Sequence, residues 1–379
     1  MSDVCIVGGG VIGLALAFEL AERGREVTVL EAGGLGERSA AGVAAGMIAP
    51  YAEADVAPGP LTRLALESHR RYPEFIARLE ARAGSNTGFD RTGTLVVAAH
   101  RDHRALLLQL EAFQEERGLA ARRVTAEEAR QLEPMLGPAV GGGLLLESDW
   151  QIDPRRLLRA LVRALTGLGG TFVDHAEVTR FRENACGYEV VYRRDGEEAR
   201  LVAGQLVLAA GAWTGILARD AVRLPMRPVR GEILRLRGER LFRRVVRSPA
   251  VYLVPRSDGE LVVGATAEER GFDANVRAGA VHLLLREAMR VAPAIEELEL
   301  AECSVGFRPA LRDHLPAIGA IGERLFVATG HYRNGVELAP ITAGLLAGLM
   351  CDGRRDPLLE PFAPGRFEAH LAARVEAGA

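Results

Sequence analysis

The first 31 residues constrain the chain most. Val4-Cys5-Ile6-Val7 reads as a buried strand and Gly8-Gly9-Gly10-Val11-Ile12-Gly13 as a G-x-G-x-x-G turn. An apolar helix follows, and Val27-Thr28-Val29-Leu30-Glu31 reads as a second strand ending in an acid. Gly8 permits a tight turn, Gly10 lets the backbone approach a pyrophosphate, and Gly13 lets helix and strand pack closely. The helix N-terminus turns free N–H groups toward the phosphates, and Glu31 stands where it can accept from ribose hydroxyls. The pattern predicts dinucleotide binding and leaves FAD and NAD(P) both open.

At 379 residues the chain can hold two cores, or one cofactor domain with a large insertion. A net charge of -3 gives no electrostatic footing for nucleic acid or an anionic membrane surface. All 47 basic residues are arginine, which removes lysine as catalytic base, Schiff-base former or oxygen-activating cation. The four cysteines (Cys5, Cys186, Cys303, Cys351) include no C-x-x-C pair and read as reduced thiols. No His/Cys cluster suggests a metal. The N-terminal apolar stretch follows Asp3 and is broken by glycines, so it reads as strand-turn-helix and not as a signal peptide. The apolar run 338–350 is expected to be too short to span a bilayer. The cytoplasm is the expected location.

Alternation of patterns along the chain predicts two interleaved domains. Helices are expected over 61–79, 104–117, 126–132, 154–168 and 280–291, and strands over 92–98, 171–173, 178–181 and 188–192. The run 206–213 is continuously apolar, as in a strand buried on both faces of a parallel sheet. Between 224 and 305 the expected strands 231–236, 252–255 and 261–266 suggest an antiparallel sheet. The α/β pattern resumes with a strand at 325–328, a Gly330–Gly335 turn and a long apolar helix. The fold class is α/β: a Rossmann-like nucleotide domain (1–85, 145–222 and 306–379) interleaved with an antiparallel-sheet α+β substrate domain (86–144 and 223–305).

This discontinuity favours FAD, because a typical NAD dehydrogenase keeps its nucleotide fold contiguous. The helix beginning near Val336 would point its positive end at a flat ligand, where it would stabilise a reduced flavin.

The chain resembles the glycine oxidase branch of the D-amino-acid oxidase family, the branch used in thiazole (thiamin) biosynthesis. The likeness covers nearly the whole length. Besides the glycine fingerprint, it is carried by Ala44-Ala45-Gly46-Met47, Ile152-Asp153-Pro154, Gly211-Ala212-Trp213 and Gly231-Glu232. It continues through Tyr252-Leu253-Val254-Pro255-Arg256, Val263-Gly264-Ala265-Thr266, Gly306-Phe307-Arg308-Pro309 and Gly330-His331-Tyr332-Arg333-Asn334-Gly335.

The resemblance implies that Arg308 clamps a substrate carboxylate, that Tyr252 hydrogen-bonds the same group, and that Arg333 lies beside the substrate amine and the flavin. It implies FAD contacts from Gly8, Gly10, Val11, Ile12, Gly13, Glu31 and Ala32, and from Ala40, Ala41, Ala45, Gly46 and Met47. Val178, Ala210, Gly211 and Trp213 complete that set with His331, Tyr332, Arg333, Asn334, Gly335 and Val336. Trp213 also reads as a core tryptophan, and His331 as a turn histidine packing near the flavin. Cys303 lies near the region where some sarcosine oxidases attach flavin covalently, but its spacing to Arg308 and Asp313 departs from that pattern, so FAD is expected noncovalent. Ala250 and Ala267 stand where the branch carries histidine and methionine; both changes reshape the pocket, giving room for sarcosine or small D-amino acids beside glycine.

The reaction expected from the resemblance is oxidative deamination of small amines by hydride transfer to flavin N5. It yields an imine and then glyoxylate and ammonia, with oxygen as partner and hydrogen peroxide as product. No dedicated catalytic base is expected. Alternatives are a dehydrogenase acting on a D-amino acid or hydroxyproline with another acceptor, and an FAD-binding subunit of a hetero-oligomeric complex. The family suggests a homo-oligomer.

Overall fold

The computed structural model describes residues 2–52, 59–100, 102–116 and 121–367. Arg117, the expected last residue of the 104–117 helix, lies outside the described residues, as does the end of the chain from 368. Among the described residues, two eight-stranded sheets carry the fold, with a two-stranded ribbon, Met47–Ile48 against Trp150–Gln151.

The first sheet is centred on the fingerprint strand Ser2–Val7. It pairs in parallel with Val27–Leu30 on one side and with Glu197–Leu208 on the other. Strand Leu325–Thr329 extends it, pairing in parallel with Leu206, Val207 and Leu208. Both faces of this central region are covered, which explains its uninterrupted apolar sequence. Helix Val11–Glu22 packs there with the amphipathic helices Pro60–Ala83 and Pro154–Gly167 in one apolar cluster. Asp153 caps the last of these, accepting from the backbone N–H groups of Arg155 (2.8 Å) and Arg156 (3.1 Å), and Pro154 occupies a position whose N–H would be unused.

Helix Gly335–Asp352 is long and apolar enough, by length and composition, to cross a membrane. Most of it is buried in the core of this sheet. The helix also contains Pro340, which has no N–H to offer the Val336 carbonyl. The Tyr72 hydroxyl donates to that carbonyl instead, at 2.9 Å, and Ser68 donates to the next one, Glu337 O, at 2.6 Å. The N-terminal end of the helix is thereby fixed by side chains from helix Pro60–Ala83.

The second sheet runs Glu299–Leu311, Met226–Arg237, Glu260–Gly264, Tyr252–Pro255, Val245–Arg247, Thr94–Val97, Gly143–Leu146 and Arg122–Val124. Its pairing is antiparallel except where Val245–Arg247 meets Thr94–Val97 in parallel. The expected all-antiparallel sheet thus has one exception, at the join between its two sequence segments. Parallel neighbours need a long crossover, and the intervening chain supplies one. Helix Ala278–Val291 covers the far face.

Two expected boundaries fall inside strands. Glu299–Leu311 runs unbroken through 305/306, and Gly143–Leu146 through 144/145. The first of these ends with Leu311 buried among the apolar residues under the nucleotide sheet. Composition changes along such a strand, but hydrogen bonding does not.

Candidate active site

A cavity of about 640 Å³ opens between the two sheets. At one end Gly8 (φ +111°) lies so close to Ala209 that an added Cβ would sit 2.4 Å from its carbonyl oxygen. A Cβ on Gly13 would lie 2.0 Å from Gly8 O, so this glycine seats the helix on the strand from beneath and does not line the cavity. Gly10 does line it, and a Cβ there would find only Ser39 Cβ, at 3.7 Å. These are three different demands for glycine at the three fingerprint positions.

Glu31 is buried and accepts from the Gly9 N–H (2.6 Å) and the Gly33 N–H (3.2 Å). Burial pushes its carboxyl up, while those two N–H groups favour the charged form. Ala32, Val11, Ile12, Val178, Ala210 and Gly211 face the same space. Ser39 caps the short helix Ala40–Val43 by accepting from the Gly42 N–H at 3.1 Å, presenting Ala40 and Ala41 to the cavity. Gly46 (φ +78°) allows the 44–47 segment to turn against Ile152, whose carbonyl oxygen would be 2.1 Å from an added Cβ.

At the other end the second sheet supplies side chains. Tyr252 stands opposite Gly264 in register, and a Cβ on Gly264 would lie 2.4 Å from its hydroxyl oxygen. Arg308 crosses Gly231 in the same way; a Cβ there would lie 2.2 Å from Arg308 Nη1. Each of these two side chains lies over a strand glycine on a neighbouring strand. Arg308 donates to the Thr266 carbonyl at 3.0 Å and forms no ion pair with a carboxylate among the described residues. On the neighbouring strand, next to Gly231, Arg230 is fully buried and saturated: it pairs with Glu232 and with Glu268 (2.8 Å), and donates to the carbonyls of Asp273 (2.8 Å) and Asn275. One arginine is built into the fold, and the other keeps its hydrogen-bonding capacity for the cavity.

The 331–333 turn closes this end. The Tyr332 N–H donates to Pro309 O at 2.9 Å, placing the turn beside Arg308. His331, Tyr332, Arg333, Gly335 and Val336 line the cavity. Arg333 is exposed, its guanidinium over the Tyr332 ring at 5.1 Å. Asn334 is outside the lining; its side chain donates to Glu337 Oε2 at 2.8 Å and its backbone starts the helix. His331 is buried with Nε2 3.1 Å from Thr342 Oγ1, and burial pushes its imidazole down to about 3. It is a buried side chain, neutral near pH 7.

Trp213 is only partly buried and is no core tryptophan. It lines the cavity and stacks on Phe272 (centroids 4.8 Å apart), with Phe307 edge-on at 6.0 Å and the Arg38 guanidinium 5.9 Å from its ring. Cys303 does not line the cavity and packs on the opposite face of the sheet. Ala250 lines it, whereas Ala267 does not, so only the first of these substitutions bears directly on the pocket. Sequence reasoning missed Arg38, Arg247, Thr266 and Phe307 as lining residues, and Gly231 and Gly264 as the sites that make room. The last two carried a usable signal, since a glycine inside a strand marks close approach.

The family model for FAD-dependent oxidoreductases (DAO) matches residues 3–349. Glycine oxidase from Geobacillus kaustophilus is 35% identical over 354 residues, covering 92% of each chain. The bifunctional protein ThiO/ThiG of Synechocystis sp. is 35% identical over 373 residues, 97% of this chain but 54% of that one. The chain thus spans about half the length of such bifunctional relatives. Among solved structures, glycine oxidase from Geobacillus kaustophilus superposes with a TM-score of 0.88 at 34% identity, over 96% of this chain and 98% of that one.

Proposed function

The chain belongs to the family of FAD-dependent oxidoreductases, and from that premise we propose that it oxidises glycine and related small amines, sarcosine and small D-amino acids among them. The observation that carries this reading is Arg308, a cation held over Gly231, facing the cavity without a carboxylate partner among the described residues and sharing that end with Tyr252. Leaving such a group there is favourable when an anion arrives to complete its hydrogen bonds.

The residues present fit FAD. The Gly8 and Gly10 turn and the start of helix Val11–Glu22 would take the pyrophosphate, and Glu31 the ribose hydroxyls. The N-terminus of helix Gly335–Asp352 would face the flavin ring, and no cysteine lines the cavity among the described residues, in keeping with noncovalent binding. When bound, FAD would take a hydride, which carries both electrons, from the substrate's α-carbon, and oxygen would accept those two electrons with two protons to give hydrogen peroxide. The chain's part is placement: Arg308 and Tyr252 hold the carboxylate, fixing which C–H bond points at the cofactor. A neutral amine needs no protein base to lose hydride from its α-carbon, in keeping with His331 being locked neutral. The resulting imine hydrolyses to an oxo-acid and ammonia or, as the resemblance to the thiazole branch implies, is passed to thiazole synthesis.

The test is anaerobic mixing of the purified yellow protein with glycine, sarcosine and D-alanine, then admission of air. Bleaching followed by recovery and peroxide supports an oxidase. Bleaching without recovery in air points to another acceptor, and no bleaching by any of the three overturns the reading.

A further inference from the structure

Arg256 is the unusual cation of this molecule. It is 6% exposed, yet no carboxylate forms an ion pair with it among the described residues. Its guanidinium spends its hydrogen bonds on neutral oxygens: Ala45 O (2.5 Å), Ile152 O (3.0 Å) and Gln151 Oε1 (3.1 Å). Its Nε finds no partner. Asp153, Glu260 and Asp258 favour the charge from farther off, and the neighbouring Arg235 opposes it. A buried charge is ordinarily neutralised by an opposite one in contact. Arg230 and Arg235, equally buried in the same sheet, obey that rule through Glu232, Glu268 and Glu260. Burial lowers the Arg256 pKa only to about 10, so the side chain remains cationic.

What the side chain holds gives the reason. Ala45, Gly46 and Met47 form a wall of the cavity, and Arg256 ties that wall to the 151–152 segment while the Ile152 N–H donates back to Gly46 O at 2.9 Å. Ala45 and Met47 pack with Tyr252 and Ala265, so the positive charge bonded to Ala45 O lies behind the wall at the Tyr252 end, shielded from water. A cation there favours whichever state of the cavity's occupant is more negative.

We propose that Arg256 is a positioning residue with an electrostatic role: it fixes the 44–47 wall and biases the bound cofactor toward its reduced, anionic form. The proposal rests on FAD occupying this cavity, and not on which amine is oxidised.

Sulfite provides a probe independent of substrate, because it binds oxidised flavin with a gain of negative charge on the ring. In the flavin-loaded protein, Arg256→Gln is expected to weaken sulfite binding about tenfold, and Arg256→Lys to stay within threefold of the parent. Asp153→Asn keeps a competent helix cap while removing a nearby negative charge, so it is expected to tighten sulfite binding two- to threefold. The opposite signs separate charge from mere loosening, which would weaken binding in both variants. If Arg256→Gln does not retain flavin, Asp153→Asn and Arg256→Lys decide alone. Unchanged or weakened sulfite binding in Asp153→Asn, or a tenfold loss in Arg256→Lys, overturns the electrostatic role. Failure of glycine to bleach the flavin would refute the proposed substrate and leave this test standing.

Discussion

The two ends of the cavity are built on opposite plans. The end we assign to the nucleotide is made of backbone and small residues, chiefly from the first 41 positions, where glycines leave room for a ligand or for a neighbouring chain segment. The end we propose for the amine carries large side chains, Tyr252 and Arg308, and glycines there leave room for the protein's own residues. A Cβ on Gly8 or Gly13 at the first end meets backbone, which cannot retreat. A Cβ at the second meets the far end of a side chain, which can. Damage at the first end should therefore remove the cofactor, and damage at the second should spare the cofactor and weaken the substrate.

Gly13→Val should give the largest effect. Its Cβ would meet the Gly8 carbonyl oxygen at 2.0 Å and Ile6 Cγ2 at 3.3 Å, separating helix from strand. Destabilisation of about 3 kcal/mol or more is expected, with loss of flavin. Thermal unfolding and the ratio of flavin to protein absorbance check this; a stable, fully yellow variant would break the comparison at its strongest point.

Arg308→Met should come next and act differently. Losing charge-assisted hydrogen bonds to a carboxylate is worth about 3 kcal/mol, or roughly 100-fold in KM for an α-amino acid. Flavin content should equal that of the parent. If this variant lost flavin instead, the division of labour between the two ends would be wrong.

Gly231→Ala sharpens the same point at smaller scale. The new methyl would lie 2.2 Å from Arg308 Nη1 and force the guanidinium aside without removing it. KM should rise about tenfold, since a displaced arginine keeps its charge but loses paired geometry. Gly231→Ala combined with Arg308→Met should be no worse in KM than Arg308→Met alone, because the methyl then has no guanidinium to displace.

How much of this was legible in the sequence follows the same division. The fingerprint end is local: strand, turn, helix and acid lie within 31 residues, so spacing alone named Gly8, Gly10, Gly13 and Glu31 with separate tasks. The helix boundaries were legible where periodicity and caps agree, as at Thr125, which caps Ala126–Leu132 in a reciprocal box with Glu128. The amine end depends on register between strands far apart in sequence. Nothing near Arg308 in the chain announces that its guanidinium will lie over Gly231, or that Tyr252 will reach Gly264. Only resemblance to a family named those side chains. Arg38 was missed for a related reason, since its place beside Trp213 requires two segments about 175 residues apart to meet. The expected boundary at 305/306 falls inside Glu299–Leu311, an unbroken strand along which composition changes and hydrogen bonding does not.

His331 is the residue through which the comparison can be probed most gently. It lies in the turn joining the two ends, buried, with Nε2 against Thr342 Oγ1 and its pKa pushed down to about 3. In the unfolded chain the same imidazole titrates near 6.5. Between these values the unfolded chain binds a proton that the native fold refuses. The favourable contribution of the neutral ring is thus complete above about pH 6.5 and is lost as pH falls toward 3, at up to about 1.4 kcal/mol per pH unit. His331→Gln can keep a hydrogen bond to Thr342 and removes that slope. The unfolding free energies of parent and variant should differ little at pH 7.5, and the parent should lose ground steadily between pH 6.5 and 4.5. An acid-side slope equal in the two proteins would mean that the ring is solvated and chargeable. The turn would then bring a titrating cation to the amine end, and the view that this end relies on Arg308 and Tyr252 without a base would have to be given up.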